Sequence, residues 1–368
     1  MWHIGVVVSL VCYPALAWSQ NRPRLVSPDV QSDRRVVFRL WAPEANGVQL
    51  SGDWMGRQPP LPMAKGADGV WTVTSEPMEP NIYTYGFLVD GIRASDPSCR
   101  CNLTAAGRFS SSRFVIPAAS PRAWEHQNKP AGALHHERFF SKLQGRMRPF
   151  VVYTPPGYSP SSSRQYPALI LLPGVPGDEN DWTSGGGYAE IVFDNLISDG
   201  RMVPMIVVMH ASDVRESGDR DDANLAEFEK VLVDELVPAI KERYRASPEP
   251  MSWAIAGLSL GGEFALNAGL KHPELFRAIA SLSGSLVPRS FESRFGRAFT
   301  EPDAVSREYR LIWLGSGSDD VFFGGAKAFA EHLQTVRVPH VFRQFAGGHS
   351  MPVFRQELVE VLPLLFQR

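Results

Sequence analysis

From Arg24 to Pro117 the apolar residues come in short alternating runs. These are VVFRLW at 36–41, VQL at 48–50, VWTVT at 70–74, IYTYGFLV at 82–89 and RFVI at 113–116, parted by Gly, Pro, Asn and Asp. A two-residue period turns one face of each run inward and the other to water, so 24–117 predicts an all-β sandwich without helical period. Residues 118–134 then turn to Ala, Pro, Ser, Asn and Lys without any period and predict a linker.

The rhythm changes over 135–368. Strand-like runs at 147–153, 166–172, 205–209, 253–256, 278–283, 311–314 and 341–345 alternate with helical patterns at 188–199, 224–245, 260–270, 325–336 and 351–366. The run from Tyr166 to Leu172 is almost continuously apolar, as expected of a strand covered on both faces. Strands separated by helices predict a mostly parallel sheet with helices on both sides, an α/β domain behind the sandwich. Adjacent His135 and His136 would point to opposite faces of a strand, so they are no chelating pair.

Composition changes this picture only at the margins. The 368 residues exceed the usual size of one domain, and 44% hydrophobic with 21% charged residues is ordinary for a globular chain. A net charge of -2 offers no electrostatic reason for a nucleic acid or an anionic membrane as partner, and small or neutral substrates fit better. Residues 1–20 hold an apolar run, Ile4–Ala17, that ends Ala15-Leu16-Ala17 before the polar Ser19-Gln20-Asn21. That order predicts a cleaved secretory signal, although no Lys or Arg precedes the run. The run is short for a membrane anchor, which needs about 20 residues, so the expectation is a secreted or periplasmic protein without stable membrane insertion. Cys12 lies inside the run and lacks a lipobox around it. Cys99 and Cys101 are too few for a disulfide scaffold and too isolated for a metal site, and read as loop cysteines with a strained local disulfide open to them.

The chemistry concentrates in MSWAIAGLSLGGEFALNAGL, 251–270: an apolar run, then Gly257-Leu258-Ser259-Leu260-Gly261, then a helical segment. Strand, sharp turn and helix around G-x-S-x-G is the arrangement of a nucleophile elbow, where near-absent side chains let strand and helix approach and push the serine into the open. The plain alternative is a glycine-rich turn packing a helix on a sheet. A serine hydroxyl is a poor nucleophile at neutral pH unless a base accepts its proton and an acid orients the base. Both follow in the order such folds use. After the run at 311–314 comes Ser316-Gly317-Ser318-Asp319-Asp320, and after the run at 341–345 comes Ala346-Gly347-Gly348-His349-Ser350. His349, flanked by small residues on a loop, can reach the elbow. The backbone N–H of Leu260 is the first oxyanion donor, and the second should come from Pro173-Gly174-Val175-Pro176-Gly177. Proline has no N–H, which leaves Val175 or Gly174, with Val175 taken. Trp182, His210 and Gly174 are placed against the substrate, with loop packing open as another role for Trp182. The acidic run 219–222 reads as a solvated helix start.

Taken together, LLPGVPGDENDW, IVFDNLISDGRMVPMIVVM, IAGLSLGGEFAL, LGSGSDDVFF and FAGGHSMPVFRQEL resemble carbohydrate esterase family 1, the feruloyl and acetylxylan esterases, with enterochelin-esterase-like hydrolases as near relatives. The resemblance runs from about residue 138 to the C-terminus. RLWAPEANGVQLSGDW, GVWTV and YTYGFLVDG resemble the early-set immunoglobulin-like domain that precedes many carbohydrate-active enzymes. The first resemblance implies an α/β-hydrolase fold, Ser259 as nucleophile, His349 as base and Asp320 rather than Asp319 as acid, with no cofactor and no metal. It implies ester hydrolysis on a small molecule or plant polysaccharide. The chain departs from it where His-Gly would stand, at Pro173-Gly174. Acyl transfer, siderophore-ester hydrolysis and a non-catalytic carbohydrate-binding role stay open, as does oligomeric state. Of the front aromatics, Trp41 and Trp71 are expected in packing, and Trp54 is the one expected to be exposed.

Overall fold

A computed structural model describes residues 23–99, 102–105, 109–212 and 222–367. The expected leader at 1–20 with Cys12, then Cys101 and residues 219–221 of the acidic run, lie outside the described residues. In front stands a sandwich of two antiparallel sheets. One orders Asp29–Val30, Val36–Trp41, Val70–Thr74 and Ala64–Lys65; the other runs Leu61–Pro62, Val48–Gly52, Asn81–Val89, Phe109–Ile116 and Asn102–Ala105, with Ile92–Ala94 on Asn81–Val89. The alternation has the expected effect: Val36, Phe38 and Leu40 face inward against Leu50, Tyr85, Phe87 and Phe114. Trp54 is not the free aromatic the sequence suggested. A short turn, Asp53–Met55, folds it back so that it stacks on Phe38, ring centroids 5.8 Å apart, and meets Tyr83 and Phe114 edge-on.

The linker is a packed strap. Trp124 is buried in the core of the second domain, and the Asn195 side-chain amide donates to the carbonyls of Ala123 and Glu125 at 2.7 and 2.9 Å. Its polar composition hid a single aromatic anchor. The sheet behind it begins at Ala133, two residues before the expected boundary at 135.

That sheet has eight strands: β1 (Ala133–Ser141), β2 (Arg146–Thr154), β3 (Ala168–Leu172), β4 (Ile206–Met209), β5 (Trp253–Leu258), β6 (Ala278–Leu282), β7 (Leu311–Gly317) and β8 (Val341–Phe345). Their order is 1-2-4-3-5-6-7-8. The first two are antiparallel to their neighbours and β3 to β8 run parallel. Ile170, Ile255 and Ile279 fill one face with Phe264, while Leu169, Ala254 and Ala256 fill the other with Val192 and Phe193. Each such fully buried large aliphatic side chain contributes on the order of 1.5–3 kcal/mol. A β5 polar on either face would have nowhere to lie, which is why its sequence is unbroken by charge. This is the α/β-hydrolase architecture.

The parallel strands end on one edge, where open α/β sheets collect their chemistry. The loops after β3, β5, β7 and β8 all open there. The expected helix 224–245 is one run from Asp222 to Arg243 whose middle, Val231–Leu236, widens to a π-helix. The segment 285–303, whose course the sequence left open, leads into short helices Phe291–Phe295, Arg297–Thr300 and Pro302–Glu308. Among the described residues no helix is long and apolar enough to cross a membrane.

Candidate functional site

β5 lies between β3 and β6 and is followed at once by Ser259, whose φ of 53° and ψ of -121° leave the regions that side-chain-bearing residues favour. A local strain of order 1–3 kcal/mol persists only where the surroundings impose it. Here they do. The helix Leu260–Lys271 starts at once, and a Cβ on Gly261 would stand 2.2 Å from the carbonyl oxygen of Pro173. A Cβ on Gly174 would lie 3.0 Å from that of Ser259, so glycine lets the loop after β3 approach the hydroxyl.

The structure brings Ser259, His349 and Asp320 together. Ser259 Oγ–H donates to His349 Nε2 at 2.9 Å, and His349 Nδ1–H donates to Asp320 Oδ2 at 2.8 Å. The other Asp320 oxygen accepts the backbone N–H of Phe322 at 2.8 Å, so both are engaged and the carboxylate cannot turn away. That acceptor fixes the tautomer: the proton sits on Nδ1, leaving Nε2 to receive one from serine. Asp319 points to solvent, and its backbone N–H bonds Gly347. The Asp320 side chain is fully buried and His349 is 26% exposed, so the site opens to solvent at the imidazole. Rings of Phe322 and Phe354 meet the imidazole edge-on from 5.3 and 5.0 Å. Sequence reasoning had not singled them out, although Phe322 follows the acidic loop and Phe354 lies one helical turn past His349.

Two expected substrate contacts are elsewhere. Trp182 is completely buried, and its indole N–H donates to the carbonyl of Leu172 at 2.9 Å, so it pins the loop under β3 rather than lining a pocket. His210, at the end of β4, is also completely buried, against Phe139, and burial next to Arg148 pulls its pKa down to about 3. It is a neutral core imidazole. His210 directly follows a strand and Trp182 lies in the long loop after β3, where exposure is decided by which way the loop folds. Gly174 does border Ser259, and Val175 follows it half-buried. Leu260 is the first residue of the elbow helix, so its N–H has no acceptor within that helix. Among the described residues no group of three His, Cys, Asp or Glu is placed to hold a metal.

A cleft of about 1040 Å³ runs behind the His349 loop, between the sandwich and the last helix, Met351–Val361. Trp54, Tyr83 and Trp124 line it with Gly347, Gly348 and Ser350, but Ser259 and His349 do not. Beneath it Arg355 is buried. Its Nη1 donates to Gly186 O at 2.6 Å and its Nη2 to Asn81 Oδ1 at 2.9 Å and to Ile82 O. Burial lowers its pKa to about 10, while burial raises Asp53 to about 6 against the opposing attraction of Arg355. The helix that follows His349 is therefore bonded to the sandwich.

The family described as Putative esterase matches residues 141–365, and that described as Carbohydrate-binding module 48 (Isoamylase N-terminal domain) matches 26–98. Over 308 residues the chain is 34% identical to a protein of Xylanibacter ruminicola named Endo-1,4-beta-xylanase/feruloyl esterase, covering 82% of this chain and 40% of that one. The chain thus spans less than half the length of that relative. Among solved structures, the enterobactin esterase of Shigella flexneri in the presence of enterobactin superposes with a TM-score of 0.72 at 20% identity, over 90% of this chain and 93% of that one. A ferulic acid esterase superposes with a TM-score of 0.57 at 23% identity, over 65% and 99%. At these identities the superpositions show the shared fold.

Proposed function

This chain belongs to the putative-esterase family, and from that premise we propose that it is a serine carboxylic ester hydrolase acting through Ser259, His349 and Asp320. The observation that carries the proposal is the unbroken Asp320–His349–Ser259 hydrogen-bond chain at a strained strand-to-helix turn. Ser259 Oγ attacks the ester carbonyl while His349 Nε2 takes its proton, and Asp320 stabilises the imidazolium through Nδ1–H. The N–H groups of Leu260 and Val175 face the developing oxyanion. His349 returns the proton to the leaving alcohol, and water, deprotonated in turn by His349, frees the acid from the acyl-serine.

The substrates are feruloyl or acetyl esters on plant polysaccharide. The Xylanibacter relative and the carbohydrate-binding-module match support this. The apolar stretch Ile4–Ala17 supports export. The test is a panel of hydroxycinnamate, acetyl, longer acyl and siderophore esters, with wild type and Ser259→Ala, and a sugar alcohol added to detect transfer. Wild type should favour hydroxycinnamate or acetyl esters and release free acid, and Ser259→Ala should lose on the order of 10⁴-fold or more in kcat. Equal rates for the two proteins would sink the proposal; dominant transfer or siderophore cleavage would replace its substrate assignment.

A further inference from the structure

We infer that the segment Ser283–Ser285, gripped by the buried side chains of Glu357 and Glu263, positions the Ser259 turn, and that Glu357 is a positioning residue for the reaction. The inference rests on the reading of Ser259 as the acyl-accepting hydroxyl. β6 ends at Leu282, whose carbonyl accepts the N–H of Ser259 at 3.0 Å; three residues on, the N–H of Ser285 donates to the carbonyl of Ser259 at 2.9 Å. Both backbone polar groups of the reactive residue are thus bound by one short stretch of chain. That stretch is not relaxed: Ser283 has φ 44°, a left-handed conformation that a serine holds only if its surroundings impose it.

The surroundings are three hydrogen bonds. Ser283 N–H donates to Gly315 O of β7 at 2.9 Å, Ser283 Oγ–H to Glu357 Oε1 at 3.1 Å, and Ser285 Oγ–H to Glu263 Oε2 at 2.9 Å. All four side chains are at most 3% exposed, so water cannot substitute for a lost partner. Glu263 lies on the elbow helix and Glu357 on the helix that begins two residues after His349. The second helix therefore carries both the exit from the His349 loop and, through Glu357 and Ser283, the grip on Ser259. A chain of rigid contacts of this kind keeps the Oγ–Nε2 distance constant, and small misplacements there are costly in rate. Burial raises the Glu357 carboxyl well above the usual carboxylate range, the hydrogen bond from Ser283 opposes that rise, and the charge of nearby Asp320 adds to it.

The experiment compares Glu357→Ala, Glu357→Gln and Ser283→Ala with wild type on p-nitrophenyl acetate, reading kcat and KM separately, with thermal melting on each protein. Expected are a fall in kcat of about 10- to 100-fold for Glu357→Ala and about tenfold for Ser283→Ala, with KM little changed. Glu357→Gln keeps an oxygen for the Ser283 hydroxyl and restores kcat to within about threefold of wild type. A folded Glu357→Ala with wild-type kcat overturns the inference, as does a glutamine variant no better than alanine, or a rise in KM at unchanged kcat. If Glu357→Ala does not fold, Ser283→Ala decides by the same readings, since it removes one oxygen atom. Failure of the esterase reading looks different: wild type itself would then be no faster than Ser259→Ala, and the inference would fall with it.

Discussion

Ser259 and His349 share one hydrogen bond but are held at its ends by unlike regions. Ser259 follows the strand at the heart of a dry parallel sheet, and its strained turn is enforced by neighbours close in sequence or on adjoining strands. His349 sits on a loop at the outer strand, and the helix that fixes its exit is bonded through Arg355 to Asn81 and Ile82, more than 270 residues earlier. One end is held by packing and glycine sterics, the other by a buried charge spanning two domains. A reactive pair can thus join a local device to a remote one, and the two should fail differently.

Asp320→Asn should show the largest effect. The carboxamide can no longer hold the imidazole in the required tautomer, and loss of about 10⁴-fold in kcat follows with the fold intact. Asp319→Asn, whose side chain faces solvent, should stay near wild type. If both variants lost comparable activity, His349 would not be held by Asp320 alone, and the His349 end of the comparison would have to be redrawn.

Arg355 tests the remote end. Arg355→Met removes the buried donor to Gly186 O, Asn81 Oδ1 and Ile82 O, leaving Asn81 Oδ1 only the N–H of Ile82, and leaves Asp53 without its nearby positive charge. Removing one partner of such a buried polar set costs about 3–5 kcal/mol. The melting temperature should fall by on the order of 10 °C. In the protein that remains folded, kcat should fall too, because the helix leaving His349 has lost its tie. Unchanged melting with unchanged kcat would mean that the sandwich merely rests against the second domain.

The difference in range also explains what could be read without coordinates. The elbow is contiguous in sequence, and its glycines, the Ser-acid-His order and the strand–helix alternation survive without knowledge of neighbours. Choosing between Asp319 and Asp320 needed the resemblance, because both sit on the right loop. Arg355 was invisible: a charged residue on an amphipathic helix reads as solvated, and nothing nearby announces that Asn81 lies across it. Trp182 and His210 failed for a related reason, since a residue in a loop or just past a strand lies inside or outside according to a loop course that period-two patterning does not encode. Glu263 did leave a signal. In LGGEFALNAGL every neighbour of Glu263 is apolar, small or amide, which is the pattern of a carboxyl that faces a partner rather than water.

The smallest expected effect lies between the two regions, in the loop after β3 that faces Ser259. Asp181 packs its carboxyl against the backbone of Gly177, and burial, with the charge of Asp178 second, raises its pKa from 3.8 to about 7. A carboxyl raised on folding binds more protons in the native than in the unfolded chain, so its share of stability is present at low pH and is lost as pH rises from about 4 to about 7. Asp181→Asn should therefore melt with wild type near pH 3, where the Asp181 carboxyl is protonated in both the folded and the unfolded chain. At pH 8 it should melt about 1–3 °C higher, since the variant has no charge to bury. Melting curves of both proteins at the two pH values check it. A variant that loses stability equally at both would mean that the Asp181 carboxyl is needed for its shape and not penalised for its charge, and the loop would then belong with the tightly packed elbow.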